Sequence, residues 1–139
     1  MTRGRKPAPW RSLRTLLAAV AIGFGLLTLV AGARVLGGAD PGYVVFRPLL
    51  LFNTAMGAAY VAAGIAMLRS AAWGTRAAGA IFALNLLALA TVLAHHSSSS
   101  GAVAAESLGA MTLRTVVWLA LFVGMGRVGR RRRAAVDEP

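Results

Sequence analysis

Between Arg14 and Arg34 the chain reads TLLAAVAIGFGLLTLVAGA, residues 15–33, nineteen residues without a charge. At 1.5 Å of rise per residue, a helix of that length crosses roughly 30 Å, the thickness of a bilayer's hydrocarbon core. Three further stretches repeat the pattern. Residues 48–68, PLLLFNTAMGAAYVAAGIAML, lie uncharged between Arg47 and Arg69. Residues 77–105 lie uncharged between Arg76 and Glu106, with Ala77 to about Ala94 as the apolar part. Residues 108–126 are as long but carry one charge, Arg114. The spacing predicts an all-α fold. It is a four-helix transmembrane bundle with helices at about 15–36, 48–68, 77–96 and 108–127.

The segments between these stretches are short. Gly37-Gly38-Ala39-Asp40-Pro41-Gly42 is turn chemistry, and Pro48 suits a first helical turn, where a missing N–H costs nothing. Ser70 to Thr75 reads as a tight hairpin with Trp73 as an interfacial anchor, and His95-His96-Ser97-Ser98-Ser99-Ser100-Gly101 as a low-complexity loop. Short connections make successive helices antiparallel neighbours, hence an up-down-up-down order. No convincing internal repeat is present.

Charge orients such a bundle. Twelve of the 15 basic residues fall in three segments: residues 1–14, the hairpin at Arg69 and Arg76, and the stretch from Arg127 to Arg133. Only Arg34, Arg47 and Arg114 fall on the other side, with Asp40 and Glu106 beside them. Basic residues accumulate on the cytoplasmic side of short-looped membrane proteins. Both termini and the middle hairpin are therefore expected in the cytoplasm, in a multi-pass cell-membrane protein. Residues 1–14 form a basic N-terminal segment, 15–128 the membrane domain, and 129–139 a basic tail expected to be disordered. One alternative concerns helix 1: a basic start, an apolar run and Ala31-Gly32-Ala33 also resemble a cleavable signal peptide.

Composition agrees with the membrane reading against its first impression. A net charge of +11 and a pI near 12.0 suggest a nucleic-acid binder. Yet 58% of residues are hydrophobic, only 14% are charged, and the mean hydropathy is +0.68. A soluble domain carries about 25% charged residues. The basic charge is split between membrane-flanking segments, so no nucleic-acid partner is expected. Zero cysteines exclude disulfides, thiolate metal sites and thiol catalysis.

The few polar groups inside the spans are the candidate functional residues. In helix 2, Asn53, Met56, Gly57, Tyr60 and Gly64 recur on one face. In helix 3, Phe82, Asn85, Leu89, Val92 and His96 do the same, and in helix 4 so do Ser107, Met111, Arg114, Thr115, Trp118, Phe122 and Met125. An amide in hydrocarbon needs a partner, so Asn53 and Asn85 should face the interior, either bonding between helices or lining a ligand site. Arg114 lies about six residues into helix 4, roughly 9 Å deep. It can snorkel outward, pair with Glu106 or Asp40, or contact an anion within the bundle. Small-residue pairs that let helices approach occur at Ala19–Gly23 and Ala21–Gly25, and at Ala58–Ala62 and Ala59–Ala63.

A ligand site would thus draw on Asn53, Tyr60, Asn85, His96, Glu106 and Arg114. Arg34, Asp40, Tyr43, Arg47 and His95 lie near the same mouth. Adjacent His95 and His96 point about 100° apart on a helix and lack a third histidine, so no metal and no cofactor is expected. Axial haem ligands on facing helices are missing, and neither GxxxxGK nor GxGxxG occurs. Arg130, Arg131, Arg132 and Arg133 suit anionic lipid headgroups. With so little chemistry available, the sequence leans away from an enzyme. It points to an accessory or scaffold subunit of a membrane assembly, or a homo-oligomer. The alternative is a small transporter, channel or lipid- or quinone-binding protein with an outward polar site around Arg114.

Overall fold

The computed structural model describes residues 9–42, 45, 47–98 and 105–137, with the side chains of all these but 95–98, 105–107 and 137. They form four helices: α1 Pro9–Leu36, α2 Arg47–Arg69, α3 Ala71–Ser98 and α4 Ala105–Asp137. Each holds a stretch long and apolar enough to cross a membrane. α1 packs chiefly on α2 and α3 on α4. α2 against α3, and less extensively α1 against α4, close the ring.

The helices overrun the apolar windows that predict them. α1 is already helical at Pro9, ahead of the expected start near residue 15. α3 starts at Ala71, so the expected Ser70–Thr75 hairpin shrinks to one residue. The Ser70 N–H still bonds Ala66 O at 2.9 Å and its own carbonyl accepts from Gly74 N at 2.9 Å. Its hydroxyl reaches toward the Trp73 N–H at 3.5 Å, as an N-cap does. α4 runs to Asp137, so residues 129–137 are helical where disorder was expected. The physical reason is common to all three. Backbone hydrogen bonding does not stop where hydrocarbon ends, and Arg and Ala are strong helix formers. In α4 the inward face also continues: Val128 is fully buried beyond the expected end at residue 127.

The α1 terminus is a Schellman cap. Gly38, at φ 100°, turns the chain, Gly38 N bonds Val35 O at 3.1 Å, and Ala39 N bonds Arg34 O at 3.0 Å. The Asp40 carboxylate then accepts from Gly42 N at 2.8 Å, and Gly42 also has positive φ, at 78°.

Packing divides small residues from large. α1 buries Ala18, Ala21, Gly25, Thr28 and Gly32. Facing it, α2 buries Gly57, Tyr60, Ala63 and Gly64. The two backbones touch: a Cβ on Gly25 would lie 2.8 Å from Gly57 O, and one on Gly57 would lie 3.0 Å from Leu29 N. α4 supplies the bulk, with Met111, Trp118, Leu121, Met125 and Val128 buried. Large apolar side chains also cover the outside, among them Leu27 of α1, Leu87 of α3 and Leu113 of α4. In a soluble protein that would be an aggregation surface; against lipid it is the expected exterior.

Candidate functional site

The interior polar residues fall into two groups. The first lies at the bundle centre. Tyr60 of α2 donates its hydroxyl to Asn85 Oδ1 of α3 at 2.8 Å, and Asn85 Nδ2 donates to Ile81 O at 3.0 Å. The Tyr60 ring packs on Trp118 of α4, with centroids 4.8 Å apart and planes 39° from parallel, and on Phe24 of α1 at 5.8 Å. All four helices therefore meet at one tyrosine. Tyr60 and Trp118 are 0% exposed and Asn85 is 1% exposed. The Trp118 indole N–H is buried without a hydrogen-bond partner. This cluster plugs the middle of the bundle.

The second group lies two turns away along α2. A cavity of about 120 Å³ opens between α1, α2 and α4, bounded by Thr28, Gly32, Leu50, Asn53, Thr54 and Arg114 among others. Two of its hydroxyls are committed to their own helices: Thr28 donates to Phe24 O and Thr54 to Leu50 O, both at 2.8 Å. Asn53 Oδ1 is buried and accepts no hydrogen bond. Arg114 is half-buried.

Of the six residues expected to form one ligand site, the structure brings Asn53 and Arg114 to a common cavity and bonds Tyr60 to Asn85 away from it, two turns along α2. The side chains of His96 and Glu106, like those of His95 and Ser107, lie outside the described residues, as does Tyr43. Arg34, Asp40 and Arg47 are exposed, and none lines the Arg114 cavity. The helical faces read from the sequence are largely the buried ones. Among the described residues of those faces the exception is Phe122, which is 38% exposed, while Leu121 turns inward in its place.

Sequence reading missed Thr28, Gly32 and Thr54 in the cavity wall. A signal was available: Gly25 and Gly32 in α1, and Gly57 and Gly64 in α2, are each spaced by seven residues, two turns on one face. Among the described residues no cluster of three His, Cys, Asp or Glu side chains is present.

A third assembly of polar groups occupies the end of the bundle holding the starts of α1 and α3. Arg11 stacks over Trp10 at 5.2 Å and Arg76 over Trp73 at 5.6 Å. Two clefts of about 450 and 670 Å³ open beside them, and Arg132 lines both. Of the four tail arginines assigned to lipid headgroups, Arg130, Arg132 and Arg133 line a cleft and Arg131 lines neither.

No family model, curated protein or solved structure matches this chain.

Proposed function

We propose that this small membrane protein is a non-enzymatic scaffold or accessory subunit, working within a larger membrane assembly or as a homo-oligomer. The Tyr60–Asn85–Trp118 plug carries the reading: the most buried polar groups are spent on holding the helices together. A closed centre suits a body that presents its outer faces to neighbours. Those faces are rich in exposed Leu and Val, which pack against lipid and protein equally well.

The bundle runs up-down-up-down with both termini in the cytoplasm, as a multi-pass cell-membrane protein. The order of close approaches supports this course: Gly25 meets Gly57 while Gly64 meets Ala18, and Gly74 meets Met125 while Gly79 meets Phe122. The concentration of basic residues in three segments supports the sidedness.

Extraction in mild detergent followed by native mass spectrometry tests the role. A co-purifying chain or a defined homo-oligomer is expected. A strictly monomeric protein with no companion would overturn the scaffold reading.

A second reading has its own observation. Buried, unpartnered Asn53 Oδ1 borders a cavity shared with Arg114, a setting suited to a small polar ligand. In that case Arg114→Ala abolishes ligand binding and leaves the fold intact. A substitution that only lowers expression would assign Arg114 a structural role.

A further inference from the structure

We infer that the end of the bundle carrying Trp10 and Trp73 binds the phosphate of an anionic phospholipid in two adjoining clefts, which between them draw arginines from all four helices. The inference rests on the reading that the helices span a bilayer, and is independent of the scaffold role.

The first observation is convergence. Arg14 of α1, Arg69 of α2 and Arg132 of α4 wall one cleft, with Trp10 beside them. Arg76 of α3 and Arg130 and Arg133 of α4 wall the other. Arg132 and Val136 line both, so the final turns of α4 form a ridge between two basic clefts. These residues lie far apart in sequence and come together only because α4 stays helical past Val128, carrying exposed arginines beside the starts of α1 and α3.

The second observation is the density of basic charge among the described side chains. Among the described residues no acidic side chain lines either cleft. Crowded like charges repel, and an anion relieves the repulsion. Arg14 Nε is moreover buried without a hydrogen-bond acceptor. The guanidinium fork matches phosphate oxygens.

The third observation selects lipid as the source of the phosphate. The two Trp–Arg stacks mark the level at which aromatic rings meet the headgroup region. Exposed apolar side chains run from that level along the helices, Leu16 and Val20 on α1 and Leu119 and Val123 on α4. A phospholipid with its phosphate in the cleft can lay its acyl chains along these faces.

Position separates a built site from diffuse attraction. Arg131 and Arg132 are exposed neighbours on α4 and carry equal charge, but only Arg132 lines the clefts. The full chain in non-ionic detergent is mixed with phosphatidylglycerol or with phosphatidylcholine of the same acyl chains. Bound lipid is then counted by native mass spectrometry at physiological salt. Retention of phosphatidylglycerol over phosphatidylcholine is expected. Arg132→Gln should lower it about five-fold, the size expected for one arginine near an anionic headgroup, and Arg131→Gln less than two-fold. Arg14→Gln and Arg69→Gln should act like Arg132→Gln. If half-buried Arg14 proves necessary for folding, the comparison of Arg131 with Arg132 still decides. Equal losses at 131 and 132, or equal retention of the two lipids, would overturn the proposal. Inorganic phosphate that displaces phosphatidylglycerol at millimolar concentration would overturn its lipid assignment.

Discussion

Tyr60 shows how one residue can organise a membrane interior. Lipid offers no hydrogen bonds, so a phenol inside a bundle must bring its own partner. Asn85 provides it, and the ring surface packs on Trp118. Tyr60→Phe keeps the ring contacts and leaves Asn85 Oδ1 unanswered. Such interhelical bonds average about 0.6 kcal/mol and reach about 1.7. A loss of about 0.5–1.5 kcal/mol is therefore expected in a denaturing-detergent titration. Combining it with Asn85→Leu should give less than the summed losses, because both changes remove the same bond. Fully additive losses would show that the bond contributes nothing. At Trp118 the expected loss is larger, about 3–5 kcal/mol for Trp118→Ala, since removing a fully buried indole leaves a cavity at the four-helix junction. A small shift in the same titration would mean that the aromatic plug is not the core of the fold.

At the scale of elements, the α1–α2 seam depends on which glycine faces which backbone. A Cβ on Gly57 would meet Leu29 Cγ at 2.9 Å and Gly25 O at 3.1 Å, while a Cβ on Gly23 would meet nothing within 4 Å. Gly57→Ala should therefore destabilise by about 1–3 kcal/mol through overpacking. Gly23→Ala should be neutral or stabilising by up to about 1 kcal/mol, since alanine is the better helix former. Equal thermal shifts for the two variants would disprove the close approach. The small-residue pairs in the sequence could not make this distinction. Ala21–Gly25 is buried, whereas Ala19, Ala58 and Ala62 are exposed. In an alanine-rich chain small residues recur on every face, and only the partner helix selects one.

For the whole molecule, sidedness yields the most direct test. The chain has no cysteine, so each introduced thiol is unique. Ala39 and Ala72 are exposed, in the α1–α2 loop and at the start of α3. On intact cells a membrane-impermeant maleimide should label Ala39→Cys and spare Ala72→Cys until the membrane is opened. The reverse pattern would invert the orientation. Run length and periodicity alone foretell four apolar helices and, in α2, the burial of Met56, Gly57, Tyr60 and Gly64, but not that of Leu49, Ala63 or Met67. Hydrophobic run length and a period of 3.6 are local properties, readable from neighbours along the chain. That Tyr60 bonds Asn85, that Asn53 and Arg114 share a cavity, and that Arg14, Arg69 and Arg132 wall one cleft follow from the packing of the helices. Each of these depends on the rotation and depth of one helix against another. Backbone contact through glycine and the bulk of Trp118 set those quantities, and neither is encoded in any single stretch. The helix ends escaped the sequence for a related reason. Hydropathy reports where hydrocarbon stops, whereas α4 continues as far as backbone hydrogen bonds and the packing of Val128 carry it.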